Sequence, residues 1–225
     1  MIKQKIKELN EKGWVKLSDF KLSLDLQERL LRENIVDQKV YTENAKISLD
    51  YLKATKLDRY LKNLLNNFLP TNHNLNNPDF YNICRVVFSS DDKESFRAHF
   101  DSHTFTVVSP IQIPMFEENQ LMQGQLILFP NLRKEPKNEM INFIQKVLFK
   151  IFANKIGFFV LKQFFHYEIF DFKDRTPILF LGRRSLHFNM PFKKSNKPRI
   201  TLLTHVYDPS GKSSIGSVLR HMRNR

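Results

Sequence analysis

The sequence predicts an α+β fold, mainly β, with an antiparallel jelly-roll core, helices ahead of it and one helical insertion within it. Three observations carry this. Apolar residues recur at helical spacing up to residue 70, strand-like segments dominate from about residue 80, and a long helical pattern at 138–165 interrupts them. Helices, then strands, then one helix, then strands is the order of an α+β chain whose sheets pack on each other.

Each element has its own reason. Residues 2–12 form a short charged helix that Gly13 ends, and Trp14-Val15-Lys16-Leu17 alternates like a short strand. Ser18 or Asp19 can cap a helix over 22–33. Leu49, Leu52, Leu57, Leu61, Leu64, Leu65 and Phe68 mark one helix over 48–69, which Pro70 stops. Residues 72–78 are an Asn-rich polar loop. Segments 81–89, 104–114, 121–129, 177–181 and 199–207 are rich in β-branched and aromatic residues and are separated by turn formers, as strands are. The tail after Pro209 is basic and polar, with a short helix expected near Val218. No internal repeat is present. The expected organisation is a single domain over 1–225: helical support at 1–70, jelly-roll strands at 80–130 and 175–208, the insertion at 138–165 and a basic tail at 209–225.

Composition narrows the functional classes. A length of 225 residues suits one substantial domain with a real core. The single cysteine, Cys84, excludes an intrachain disulfide and a thiolate zinc site, and fits a reducing compartment. The first ten residues are too polar for a secretory signal, and no run of about 18 residues is free of charge, so a cytoplasmic protein without a membrane span is expected. The net charge of +13 attracts nucleic acid, an anionic membrane surface or anionic small molecules, and equally suits a generally basic soluble protein. No helix-turn-helix, zinc-finger or RNP pattern supports the nucleic-acid option. Twenty-one phenylalanines point to an aromatic interior or an apolar pocket.

Candidate chemistry lies in Phe96-Arg97-Ala98-His99-Phe100-Asp101-Ser102-His103, at the edge of a predicted strand. Residues two apart on a strand face the same side, so His99 and Asp101 can present an imidazole and a carboxylate to one point. One further nitrogen completes a two-histidine, one-carboxylate facial triad, which leaves three iron positions open. His103 and His187 are the two candidates. His187 is favoured, because a ligand four positions along an extended strand lies about 13 Å away. Arg97 is read as a solvated charge, His103 as pocket-lining, and His73, His166 and His221 as surface or packing residues. Tyr81 and Arg85 lie on a strand that could line the same site, and His205 is assigned no role.

HFD at 99–101, the distal His187, and Arg199-Ile200-Thr201 twelve residues after it resemble the HxD…H…RxS/T pattern of the iron(II)- and 2-oxoglutarate-dependent oxygenases. The layout is similar to the phytanoyl-CoA dioxygenase-like branch. GWVKLSDF at 13–20 resembles its opening strand, and GQLILFP at 124–130 a mid-core strand. The resemblance runs from about residue 13 to about 208 and gives no role to 138–165. It implies a double-stranded β-helix (cupin-like) core, iron(II) held by His99, Asp101 and His187, and 2-oxoglutarate bound through Arg199 with Thr201 beside it. A guanidinium matches a carboxylate with two parallel hydrogen bonds.

The implied reaction decarboxylates 2-oxoglutarate to succinate with molecular oxygen and oxidises a small or lipid-like substrate. Related halogenases lack the carboxylate ligand, so Asp101 favours hydroxylation. Demethylases of the superfamily usually carry a second arginine six residues after the first, where this chain has His205, and prolyl hydroxylases commonly have lysine in place of Arg199. The rival readings are a non-catalytic jelly-roll binding protein and a basic nucleic-acid-associated protein. The 138–165 helix, apolar over most of its surface with Lys146 and Lys150 on one side, is expected either to pack on the core and against a second subunit or to lie on an anionic membrane surface.

Overall fold

The computed structural model of the chain describes residues 2–34, 41–69, 78–88, 95–114, 124–192, 195 and 197–209. The helical prediction near Val218, most of the loop at 72–78, His73 and His221 lie outside them. Helix α1 (Ile2–Lys12) ends at Gly13, whose φ of +79° is open to glycine, and a Cβ there would sit 2.9 Å from the Asn131 side chain. Strand β1 (Trp14–Lys16) follows as expected. The next helix, α2 (Leu24–Glu33), is capped by Ser23, whose hydroxyl accepts from the Leu26 amide at 3.2 Å. Ser18 and Asp19, the expected caps, lie instead in a single 3-10 turn, Ser18–Phe20.

The helix expected over 48–69 is two helices, α3 (Lys46–Thr55) and α4 (Leu57–Phe68). Lys56 between them adopts the left-handed conformation, φ 56° and ψ 27°, and its amide closes on the Leu52 carbonyl. The break lets Leu52, Leu57, Leu61, Leu64 and Leu65 bury together, while Leu49 stays exposed. A short strand not foreseen from the sequence, β2 (Tyr41–Glu43), precedes α3.

The remaining strands are β3 (Phe80–Val87), β4 (Phe105–Gln112), β5 (Leu126–Phe129), β6 (Glu168–Phe170), β7 (Ile178–Leu181), β8 (Leu186–Asn189) and β9 (Arg199–Val206). They form two antiparallel sheets, one in the order β1-β7-β4-β9-β3-β2 and one in the order β6-β5-β8. The two-residue period of the strands builds the layers. On β7, Leu179 and Leu181 face the N-terminal helices, whereas Ile178 and Phe180 join Leu126 and Leu128 of β5 between the sheets. The other face of β5, Ile127 and Phe129, packs with Leu186 and Phe188 of β8 against Phe158 and Leu161. Helices therefore flank both sheets, and a third apolar cluster lies between the sheets.

The insertion is also two helices, α5 (Glu139–Phe149) and α6 (Lys155–Phe164), separated by a 3-10 turn. Asn138 and Asn154 accept from the amides of Ile141 and Gly157 and cap them in turn. Among the described residues no helix is long and apolar enough to cross a membrane.

Candidate metal centre

Alternation along two neighbouring strands aims one row of side chains into the space between the sheets. On β9 the row is Arg199, Thr201, Leu203 and His205; on β3 it is Tyr81, Ile83 and Arg85. Pairing puts Arg85 opposite Thr201 and Tyr81 opposite His205. These residues line a cavity of about 720 Å³, whose other wall includes Leu126, His187 and Asn189.

The segment carrying His99 and Asp101 is not a strand along its length. Only His99 enters a ladder, as an isolated antiparallel bridge to His187, with each amide donating to the other's carbonyl at 3.1 Å. Asp101 is then pinned by its amide to the Gly182 carbonyl at 3.0 Å. Gly182 leaves the room this needs, since a Cβ there would meet Thr106 Oγ1 at 2.6 Å and Asp101 Cβ at 2.9 Å.

The result is a tight cluster. Ligand atoms of His99, Asp101 and His187 all lie within 4.8 Å of one another. His99 Nε2 is 3.6 Å from Asp101 Oδ1, and His187 Nε2 is 3.5 Å from Asp101 Oδ2. Each ring is oriented from behind: Nδ1 of His99 meets the Arg97 carbonyl at 2.7 Å, and Nδ1 of His187 meets the Ser185 carbonyl at 3.3 Å. A carbonyl only accepts, so each Nδ1 donates its proton there, and Nε2 is the ring nitrogen turned to the carboxylate and available to a metal. His103, the other histidine considered, is outside the cluster. Its ring stacks on His205 at 5.0 Å, with Tyr81 6.0 Å from each.

Electrostatics keeps the cluster in its ligating form. Burial alone would raise the Asp101 carboxyl, but the imidazoles of His187, His205 and His99 and the Thr106 hydroxyl outweigh it and hold it below the usual carboxylate range. Burial pushes His187 down to about 4, against the pull of Asp101, so its ring is neutral near neutral pH. Thr106 donates to Asp101 Oδ2 at 2.5 Å, and its oxygen lies 3.1 Å from His205 Nδ1.

Arg199 is buried at 3% exposure in the same cavity. Its Nη1 donates to Asn189 at 3.1 Å, while Nη2 is buried with no hydrogen-bond partner. Burial, and then the like charge of Arg85, push it down to about 9. A buried guanidinium with an unsatisfied donor in a cavity wall, beside a second arginine, could hold an anion. Thr201 lies two residues along the same face. Arg97 is exposed and lines the cavity, and His166 is exposed beside Glu168.

The insertion braces this site. Arg183, buried, binds Glu135 at 2.5 Å, Glu139 of α5 at 2.9 Å and the Ser102 carbonyl at 3.2 Å. Arg133 lies 3.9 Å over the Phe100 ring and donates to Asn142 and Gln145 of α5. Both arginines thus tie α5 to the segment that carries His99 and Asp101. No pattern in the sequence singles out Thr106, Gly182 or Asn189. The signal for His205 is its parity with Arg199 and Thr201 on one predicted strand.

No protein-family model matches the sequence, and no curated protein matches it. Solved structures do. A prolyl 4-hydroxylase from Pseudomonas putida aligns at 14% identity and a TM-score of 0.51, covering 92% of this chain and 98% of that one. A prolyl 4-hydroxylase from Phytophthora capsici aligns at 15% identity and 0.57, over 94% of this chain and 64% of that one. The non-heme alpha ketoglutarate-dependent epimerase SnoN of nogalamycin biosynthesis aligns at 11% identity and 0.57, over 92% and 83%. SnoN has also been solved with Fe3+, alpha ketoglutarate and nogalamycin RO. This chain, with its two antiparallel sheets and the His99–Asp101–His187 cluster between them, has the fold of these hydroxylases and this epimerase.

Proposed function

We propose that the chain is an iron(II)- and 2-oxoglutarate-dependent oxygenase, a single jelly-roll domain spanning 1–225. One observation carries the reading: two imidazole nitrogens and a carboxylate converge within 4.8 Å in a cavity that also buries Arg199 with an unsatisfied Nη2. Two imidazoles and one carboxylate are the donor set of a facial iron(II) site with open positions. His99, Asp101 and His187 would hold the metal. Arg199, with Thr201 beside it, would take the distal carboxylate of 2-oxoglutarate, which fits the orphaned donor. The solved complex of SnoN with iron and alpha ketoglutarate supports both cofactors on this fold.

When loaded, such a centre couples oxidative decarboxylation of 2-oxoglutarate by molecular oxygen to oxidation of a second substrate. The chain's own part is positional. Thr106 fixes the rotamer of Asp101, the Arg97 and Ser185 carbonyls fix both imidazoles, and Ile83, Val108 and Leu126 supply apolar cavity wall. Asp101, as a carboxylate ligand, favours hydroxylation of the substrate. Arg199 in place of lysine favours the phytanoyl-CoA dioxygenase-like branch over prolyl hydroxylases. The aromatic lining and the basic charge favour a small or lipid-like acyl substrate in the cytoplasm.

Anaerobic titration of the metal-free protein with iron(II) and then 2-oxoglutarate tests the reading. A weak absorption band in the middle of the visible spectrum, absent with either component alone, is the expected result. No band, together with no succinate release on admitting oxygen, would remove the oxygenase assignment.

A further inference from the structure

Helix α5 is built inside out. Its apolar stripe, Met140, Phe143, Ile144, Val147, Leu148 and Ile151 across the helix end, repeats at three- and four-residue spacing, and each of these side chains is about half exposed or more. Its polar side faces the protein. Asn142 is the one residue of α5 that is fully buried, and Glu139, Gln145 and Lys146 reach Arg183, Arg133 and Ser102. Helix α6 extends the outward apolar face with Ile156, Phe159, Val160 and Phe164. A run of exposed apolar side chains on two consecutive helices exceeds what a solvated surface carries and marks a docking face.

Charge decides the occupant. Between residues 138 and 165 there are four lysines, at 146, 150, 155 and 162, and one carboxylate, Glu139, which Arg183 already holds at 2.9 Å. An isologous dimer through this face would set lysine against lysine with no acid to answer. Lys146 is turned inward to Ser102, but an anionic bilayer surface answers Lys150, Lys155 and Lys162 and accepts the apolar stripe at the acyl boundary. The Lys162 ammonium lies over the exposed Phe159 ring, 4.2 Å from its centroid, so charge and apolar surface meet on this face. Lys146, Lys150 and Ala153 of the same insertion also line the candidate cavity, so the cavity adjoins the insertion that carries the docking face.

We propose that the α5–α6 face docks the protein on anionic lipid and opens its cavity toward the bilayer, where an amphiphile with an anionic head and an acyl chain would be taken up. The uptake rests on the oxygenase reading; the docking does not.

Co-sedimentation tests the docking with the full chain, without iron or 2-oxoglutarate, so its outcome is independent of activity. The probes are vesicles of phosphatidylcholine alone and of phosphatidylcholine mixed with phosphatidylglycerol. Variants change exposed residues only, as the triple substitution Ile144→Ser, Leu148→Ser, Ile151→Ser; Phe158 is buried in the core and is left intact. The expected result is binding to the mixed vesicles at low salt, weak or no binding to phosphatidylcholine, and a loss of more than about tenfold in the triple variant, whose melting temperature stays that of the parent. Three results overturn the proposal: no binding to anionic vesicles, binding undiminished in the variant, or a parent dimer that the variant converts to monomer without any vesicle binding.

Discussion

Thr106 Oγ1 donates to Asp101 Oδ2 at 2.5 Å while lying 3.1 Å from His205 Nδ1, so one hydroxyl links the carboxylate of the cluster to a third imidazole. The oxygen it holds, Oδ2, is the one that His187 Nε2 approaches at 3.5 Å, while His99 Nε2 lies 3.6 Å from Oδ1. Thr106→Val keeps the shape and removes the donor. It should weaken iron(II) binding by about ten- to a hundredfold, the usual cost of losing a group that orients a ligand. Thr106→Ser should restore most of the affinity. Calorimetric titration with a non-oxidising divalent metal reads this, and equal affinity in parent and Val variant would show that Asp101 needs no such support.

The ligand assignment itself is open to direct test. His99→Ala, Asp101→Ala and His187→Ala should each come out of purification with little iron, whereas His103→Ala, outside the cluster, should keep its metal. Metal analysis of the four proteins is sufficient. Iron lost only from the His103 variant would transfer the site to the Tyr81–His103–His205 stack.

Arg199→Ala should leave iron in place and raise the 2-oxoglutarate requirement. A charge-assisted contact is worth about 1.5–3 kcal/mol, so the increase should be roughly ten- to a hundredfold or more. The neighbouring Arg85 lines the same cavity and lowers the Arg199 pKa by its charge. If affinity is unchanged in Arg199→Ala and falls in Arg85→Ala, the anion seat belongs to Arg85.

Acid should destabilise the metal-free protein before the carboxylates titrate. Burial lowers His187 from 6.5 to about 4. Below pH 6.5 the unfolded chain takes up a proton that the folded chain refuses until pH nears 4. Stability therefore rises with pH across that window, is complete above it, and is about 3 kcal/mol lower at its acid end. Asp101, held below its ordinary value, extends the loss to lower pH. Urea unfolding at several pH values measures the slope. His187→Gln should flatten it, and an unaltered slope in that variant would place the acid sensitivity elsewhere.

Some of this was written plainly in the sequence. HFD, the distal histidine and the arginine twelve residues on are brought to one cavity, because β8 and β9 place them across it on a two-residue period. The partners that complete the site were not legible, since Thr106, Gly182 and Asn189 are ordinary residues whose roles come only from contacts across strands. Helix breaks also escaped. Lys56 takes a left-handed turn without glycine or proline to announce it, and Asn154 starts a new helix inside a continuous apolar pattern. Periodicity found the stripe of α5 but could not give its direction. An apolar face is read as inward by default, and here Arg133 and Arg183 claim the polar side instead.

His99 and His187 exchange both main-chain hydrogen bonds, so the two imidazoles hang from one rung. The spacing between their two Cα atoms is therefore a backbone dimension, and the Nδ1 contacts to the Arg97 and Ser185 carbonyls set the rotamers that bring the Nε2 atoms together. In coordination terms the pair would act as a bidentate chelator with a short bridge, assembled when the sheets form. Much of the entropy cost of gathering two ligands is then met during folding rather than at metal capture. A metal entering the site finds the bite already set, and removing it with a chelating agent should leave the sheets standing and the site ready to refill.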